Sequence, residues 1–141
     1  VYNLPGKKVL QYAGWAVWVP ALIFGIGPIF VLRRKGGVAK GKSYVETTHL
    51  VDTSLYAIVR HPQYLGILLF NLALMLMAQQ WLVFLIGIFS MGLIYQGIRD
   101  ADQDGIEKFG DEYRQYMQRV PQINFLLGIF RLIQAKRAGL I

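Results

Sequence analysis

Residues 64–98 read YLGILLFNLALMLMAQQWLVFLIGIFSMGLIYQGI, and no charged side chain interrupts them. A single straight helix over this stretch would be about 50 Å long at about 1.5 Å per residue, which exceeds the roughly 30 Å of a bilayer's hydrocarbon core. The polar pair Gln79 and Gln80 lies near the middle of the stretch. The sequence therefore predicts a tight hydrophobic helical hairpin, with arms at 64–78 and 81–98 and its turn at the glutamines.

A second apolar stretch strengthens the case for a membrane setting. Residues 9–32 are long enough to span, since about 20 apolar residues cross the hydrocarbon core. Pro20 and Pro28 lie inside this stretch, so we expect a kinked helix. The whole chain is 16% charged, against roughly 25% in an ordinary soluble domain. The predicted fold is an all-α integral membrane protein with a single domain over residues 1–141.

Basic residues are distributed unevenly along the chain. Of its 15 lysines and arginines only Lys7 and Lys8 precede the first span. The rest predict that the segments 33–63 and 99–122 face the cytoplasm, most simply in a prokaryotic inner membrane. Residues 123–135 are apolar but too short to span, and they predict an interfacial helix. The net charge of +7 indicates anionic membrane lipids as partners, because no nucleic-acid-binding motif accompanies it.

A polar block stands directly before the hairpin, where residues 50–66 read LVDTSLYAIVRHPQYLG. Pro62 suits the first turn of a helix because its φ is fixed and it lacks an N–H. On residue types alone, Arg60 and His61 beside this proline are equally typical of a positively charged membrane boundary. The chain has no cysteine, which excludes thiolate nucleophiles and cysteine zinc sites, and we expect no metal.

Two blocks carry a resemblance to a known family. Residues 50–66 are similar throughout to the signature of the isoprenylcysteine carboxyl methyltransferase and phospholipid methyltransferase family, integral membrane enzymes that use S-adenosylmethionine. Residues 109–121 read FGDEYRQYMQRVP and resemble the Phe-Gly-x-x-Tyr-x-x-Tyr element of the same family, which ends in Arg-Val-Pro. The resemblance covers roughly the last two-thirds of the chain.

The resemblance implies transfer of a methyl group from S-adenosylmethionine to a lipidated or membrane-partitioned acceptor, either an isoprenylcysteine-type carboxylate or a lipid headgroup. Its implied cofactor contacts are His61, Pro62, Tyr64, Gly66, Asp102, Tyr113 and Tyr116. Its implied catalytic residues are Arg60 and Arg119, which would hold an anionic group on the acceptor, and Tyr56, which would help to wall the pocket. Methyl transfer of this kind depends mainly on positioning and on the exclusion of water.

One departure from the family pattern leaves an alternative open. Family members carry two adjacent glutamates where this chain has Ala101 and Asp102. Asp102 keeps a carboxylate, and Asp100 or Asp104 are candidate substitutes for the missing one. Loss of the first carboxylate is also what a family member retained as a structural subunit of a larger membrane complex would show.

The acidic segment has two further interpretations. The order Asp100-x-Asp102-x-Asp104-Gly105 has the opening spacing of a calcium-binding loop. The twelfth position of that loop, however, holds Asp111 in place of the usual bidentate glutamate. A solvated acidic stretch leaving the membrane explains the three aspartates without any ligand.

The distribution of basic residues makes a prediction about topology. Single cysteines introduced at Ser43 and Gln115 should react with a membrane-impermeant maleimide from the same face of sealed vesicles, because both positions lie in segments predicted to share one side. The chain has no cysteine of its own, so the unmodified protein is the control. Labelling of the two positions from opposite faces would contradict the predicted topology.

Overall fold

The computed structural model describes residues 5–141, which form six helices and no strand. The helices are α1 Pro5–Lys35, α2 Leu55–Ile58, α3 Pro62–Ala78, α4 Trp81–Phe109, α5 Asp111–Arg119 and α6 Phe125–Arg137. This confirms the predicted all-α class. Two of these helices, α1 and α4, are long and apolar enough to cross a membrane. Most of both apolar stretches is exposed, whereas core helices of soluble proteins bury such surface.

The hairpin between α3 and α4 turns at the glutamine pair, as the sequence predicts. Gln79 adopts a left-handed conformation with φ 50° and ψ 38°, and its N–H donates to the carbonyl of Met75. Gln80 is extended and directly precedes α4. Asn71 then joins the two arms, because its side chain donates to the carbonyl of Gly87 at 2.9 Å.

Helix α4 does not end with its apolar stretch at Ile98. It continues to Phe109 as one helix of 29 residues, about 43 Å at about 1.5 Å per residue. The acidic segment is therefore helical, and residues two apart on a helix point about 200° away from each other. Asp102 is buried, whereas Asp100 and Asp104 are exposed. The calcium-loop interpretation is wrong, because it requires a loop in which these carboxylates converge.

Helix α1 is continuous through both of its prolines, Pro20 and Pro28, so it is not broken there, and the predicted kink stays a prediction. It packs most extensively against α3. The closest approach is at Gly66, where an added Cβ would clash with the backbone of Gly25. Nearer the hairpin turn, Trp18 meets Phe70 edge-on with ring centroids 4.8 Å apart.

The chain between α1 and α2 folds back as an irregular segment, residues 36–54. The N–H groups of Thr48 and His49 both donate to the carbonyl of Gly36, at 2.7 and 3.0 Å. Gly37 sits at this crossing with φ 64°, a conformation that favours glycine. The segment thereby returns to the end of α1 and lies beside the polar half of α4.

The helix contact at Gly66 predicts a stability effect. Gly66→Ala should destabilise the protein by about 1–3 kcal/mol, because the new methyl group has no space against Gly25 and the helices must separate. Thermal unfolding in detergent would measure this. Gly92→Ala is the matched control on α4, since an added Cβ there meets nothing within 4 Å. Equal unfolding temperatures for the two variants would contradict the tight packing of α1 against α3.

Candidate functional site

A cavity of about 460 Å³ lies where the segment 36–54, the polar end of α4 and helix α5 meet. Arg60 and His61, in the linker between α2 and α3, form part of its wall. The α4 residues that line it begin at Ala101, beyond the apolar stretch that ends at Ile98. The cavity therefore belongs to the charged end of the helix.

Asp102 is the centre of the hydrogen bonding beneath this cavity. Its side chain is 10% exposed. Arg60 donates twice to it, from Nε to Oδ1 at 3.1 Å and from Nη2 to Oδ2 at 2.8 Å. Tyr113 donates to Oδ1 at 2.8 Å and Gln122 to Oδ2 at 2.9 Å, while His61 Nε2 lies 2.7 Å from Oδ1. A carboxylate offers about four lone-pair positions, so Asp102 is saturated by groups of the protein itself.

Four of the five N–H groups of the Arg60 guanidinium donate within the protein. Besides its two bonds to Asp102, it donates from Nη1 to the carbonyls of Met117 and Val120 at 3.2 and 2.7 Å. These carbonyls lie at the C-terminal end of α5, where the helix leaves acceptors without intrahelical partners. The Arg60 backbone N–H also donates to the carbonyl of Pro121 at 2.9 Å. Arg60 therefore joins the start of α3 to the end of α5.

Three buried or half-buried tyrosines line the cavity beside this cluster. Tyr116 donates through its hydroxyl to the carbonyl of Tyr56 at 2.6 Å, and its ring meets that of Tyr113 edge-on. Burial raises the pKa of Tyr116, Tyr113 and Tyr56 above the usual range, and the Asp102 carboxylate raises the pKa of Tyr113 further. The phenols therefore remain protonated at physiological pH, and those of Tyr113 and Tyr116 act as donors.

One face of α4 forms a charged wall of the cavity. Ala101, Asp104, Gly105 and Lys108 all line it, and their spacing of three, four and seven residues places them on a single helix face. Lys108 also donates to Thr47 of the folded-back segment at 3.1 Å. The wall thus offers a carboxylate and an ammonium side by side.

Asp100 does not belong to this wall. It is exposed, and its carboxylate accepts a hydrogen bond from Gln96 at 2.9 Å. Of the two substitutes suggested for the missing family carboxylate at Ala101, only Asp104 lines the cavity. The two carboxylates are equivalent in the sequence, but their positions on α4 place only one of them at the cavity.

The structure brings most of the predicted site residues together and places three of them in helix packing. Arg60, His61, Asp102, Tyr56, Tyr113 and Tyr116 form the cluster and the cavity wall. Pro62 is buried in the first turn of α3, and Gly66 packs on α1. The ring of Tyr64 lies against Gly97 and meets His61 at 6.0 Å between centroids. The roles in cofactor binding and catalysis that the resemblance implies stay predictions, for these three residues and for those of the cluster alike.

Arg119 lies apart from the cluster. Its side chain is 60% exposed and pairs with Asp52 at 3.3 Å. It lines a separate cavity of about 350 Å³, together with Arg131 of α6. The structure thus does not place Arg119 beside Arg60, and its acceptor-binding role stays a prediction.

Gln122 is the site residue that the sequence interpretation omitted. It supplies one of the hydrogen bonds to Asp102 at 2.9 Å. This hydrogen bond forms because the turn after α5 brings the chain back to the start of α3. The backbone carbonyl of Gln122 also accepts there from the His61 N–H at 3.2 Å. The only sequence signal is its position directly after the Arg-Val-Pro element.

The saturation of Asp102 predicts a large stability effect. Asp102→Ala should lower the free energy of unfolding by about 3–5 kcal/mol, because it leaves the guanidinium of Arg60 buried without its counter-charge. Asp100→Ala is the matched control from the same helix, and as an exposed position it should change stability by no more than about 0.5 kcal/mol. Thermal unfolding of both variants in detergent would test this. A tolerated Asp102→Ala would show that the cluster does not hold the helices together.

Comparison with known proteins finds a family model and a relative that match the chain. The phospholipid methyltransferase family model matches residues 10–103, which include the first span, the hairpin and Asp102. Methanethiol S-methyltransferase 1 of Bradyrhizobium diazoefficiens is 33% identical over 115 residues, which are 81% of this chain and 39% of that relative. The chain thus spans about two fifths of the relative's length. No solved structure matches the chain. Because the family model matches more than half of the chain, the chain belongs to the phospholipid methyltransferase family.

Proposed function

We propose that this protein transfers a methyl group from S-adenosylmethionine to a membrane-partitioned acceptor, in the cavity beside Asp102. Family membership and the similarity to a protein named as a methanethiol S-methyltransferase support methyl transfer. The observation that carries the proposal is the cavity above the Asp102 hydrogen-bond cluster, which is lined by charged and aromatic side chains. Its volume of about 460 Å³ falls in the range of about 300–1,000 Å³ that is usual for ligand pockets.

The lining of the cavity fits the chemistry of the cofactor. S-adenosylmethionine has an ammonium and a carboxylate on its amino-acid part, two ribose hydroxyls and a flat adenine. Asp104 suits the ammonium or the ribose hydroxyls, and Lys108 suits the carboxylate. Phe109 and Tyr113 also line the cavity and offer aromatic surface for a flat base. When bound, the cofactor supplies a methyl group activated by a sulfonium.

Within this proposal Asp102 positions its neighbours and does not itself touch the cofactor. Five hydrogen bonds from Arg60, His61, Tyr113 and Gln122 already occupy its carboxylate. A further donor from the cofactor would have to displace one of them. The protein's contribution is a rigid wall that aligns the acceptor and keeps water out, which is what methyl transfer in line with a sulfonium needs.

The same proposal assigns a location. The two apolar helices and the family indicate a membrane protein. We place the cavity on the cytoplasmic side of a prokaryotic inner membrane, because the segments 33–63 and 99–122 hold ten of the 15 lysines and arginines. The cofactor would then arrive from the cytosol, while a lipophilic acceptor arrives from the bilayer and anionic lipids surround the basic boundary.

A second candidate is a structural subunit that has lost catalysis. It is favoured by Ala101, which lines the cavity at a position where the family carries a carboxylate. In that case the helices would serve to pack against a partner in a larger membrane complex. The two functions differ in whether the cavity binds the cofactor.

Cofactor binding tests the proposal directly. S-adenosylmethionine and its demethylated product should bind in detergent with low-micromolar to sub-millimolar affinity, measured by calorimetry. Asp104→Ala should weaken binding by about tenfold or more, because it removes a charged hydrogen-bonding partner. Asp100→Ala, which leaves the cavity wall intact, should bind like the unmodified protein.

The outcomes separate the two candidates. No heat and no thermal shift at millimolar ligand would support the structural subunit. Binding that is unaffected by Asp104→Ala would mean that the cofactor does not contact the charged wall of α4.

A further inference from the structure

We propose that the second cavity, of about 350 Å³, binds the phosphate of an anionic membrane phospholipid that is not itself methylated. Arg119 and Arg131 hold this phosphate, and the apolar lining of the cavity takes the adjoining part of the lipid. The site is additional to the methyl transfer proposed above and does not depend on it. Its charges, its lining and its place beside the apolar helices all point to the same ligand.

Two arginines from different helices meet at this cavity. Arg119 is the last residue of α5, and Arg131 lies in the middle of α6. Asp52 of the folded-back segment supplies the only negative side chain that lines the cavity among residues 5–141. The lining therefore carries an excess of positive charge. The planar fork of N–H donors on arginine matches the oxygens of a phosphate, so an anionic phosphate is the complementary ligand.

Both guanidinium groups are available to a ligand. Arg119 meets Asp52 through one contact, Nη2 to Oδ2 at 3.3 Å, between side chains that are 60% and 38% exposed. Exposed ion pairs of this kind contribute little to stability, so a phosphate can take the guanidinium at small cost. Arg131 is exposed and forms no ion pair with any residue from 5 to 141. Arg60, by contrast, already donates four hydrogen bonds within the protein.

The remainder of the lining is apolar. It consists of Ala57, Val120, Leu132, Ala135, Leu140 and Ile141. A small soluble anion has no surface that matches such a lining. A phospholipid matches it, because its charged phosphate is joined directly to apolar chains.

Helix α6 lies beside the apolar part of the protein. The ring of Phe125, at its start, lies 5.9 Å from the ring of Phe24, measured between centroids. Phe24 belongs to α1, which is long and apolar enough to cross a membrane. Leu126, Phe130 and Ile133 are exposed on α6, and their spacing of four and seven residues places them on one face. These contacts support the predicted interfacial helix and bring the cavity to the level of lipid headgroups.

The second cavity is separate from the cavity proposed for methyl transfer. The two share no lining residue among residues 5–141. Val51 and Tyr56 line the first cavity, whereas their chain neighbours Asp52 and Ala57 line the second. The segment 51–57 thus forms a wall between the two. A phosphate held by the two arginines lies across this wall from the proposed cofactor site, so the lipid is a bound ligand and not the methyl acceptor.

Two lipids with the same acyl chains test the headgroup charge. Native mass spectrometry of the protein in detergent counts bound lipids one at a time. The first phosphatidylglycerol should bind at least about tenfold more tightly than the first phosphatidylcholine, because the choline group cancels the phosphate charge. Inorganic phosphate at millimolar concentration should not displace the phosphatidylglycerol, because it cannot use the apolar lining.

Three single substitutions locate the site. Arg119→Gln and Arg131→Gln should each weaken phosphatidylglycerol binding by about tenfold or more, because each removes a charged donor to the phosphate. Arg137→Gln is the matched control, since it removes the same charge from an exposed position of α6 that does not line the cavity. It should change binding by no more than about twofold. Because all three positions are exposed, the variants should fold, and thermal unfolding checks this.

The outcomes are decisive in both directions. Equal weakening by Arg131→Gln and Arg137→Gln would overturn the inference, because it would show only diffuse attraction between a basic helix and anionic lipid. Equal binding of the two lipids by the unmodified protein would also overturn it. Displacement by inorganic phosphate would replace the lipid site with a site for a soluble anion.

Discussion

The ion pair between Arg60 and Asp102 is the interaction on which the rest of the site depends. Both side chains are about nine-tenths buried, and a buried charge is strongly unfavourable unless it is paired and hydrogen-bonded. Here the carboxylate accepts from four side chains, and the guanidinium donates both to it and to two carbonyls at the end of α5. The linker before α3, helix α4 and helix α5 are thus fixed relative to one another.

Helix α4 connects this cluster to the apolar part of the protein. Its first half is apolar and exposed, and its second half carries Asp102, Asp104 and Lys108. Because the two halves are one helix, the position of the apolar half in a bilayer also sets the position of the cavity. The side chain of Asn71, which bonds to Gly87, links α3 to the apolar half, while Asp102 links the linker before α3 to the polar half.

The groups around the cavity divide into two kinds. The Asp102 carboxylate and four of the five N–H groups of Arg60 already have partners within the protein, so these two residues provide shape and a fixed electrostatic field. Asp104 and Lys108 line the cavity without belonging to that cluster. Such preorganisation avoids reorienting dipoles during a reaction, which is a principal source of catalytic stabilisation in enclosed sites.

Much of the fold followed from the sequence because the bilayer and backbone hydrogen bonding leave few alternatives. An uncharged stretch too long for one span, with two glutamines in the middle, determined the hairpin and its turn. Pro62 before an apolar run marked the start of α3, and the blocks 50–66 and 109–121 together indicated the family. These are local properties of composition, spacing and turn chemistry.

Only the tertiary structure decided which polar groups meet. No local pattern distinguishes Asp104 from Asp100, singles out Gln122, or separates Arg119 from Arg60. Those choices depend on the continuation of α4 beyond Ile98, which fixes the direction of every carboxylate on it, and on the return of the chain after α5 to the linker before α3. Hydrogen bonds between residues 40 to 60 positions apart are set by such packing angles, and no local pattern encodes them.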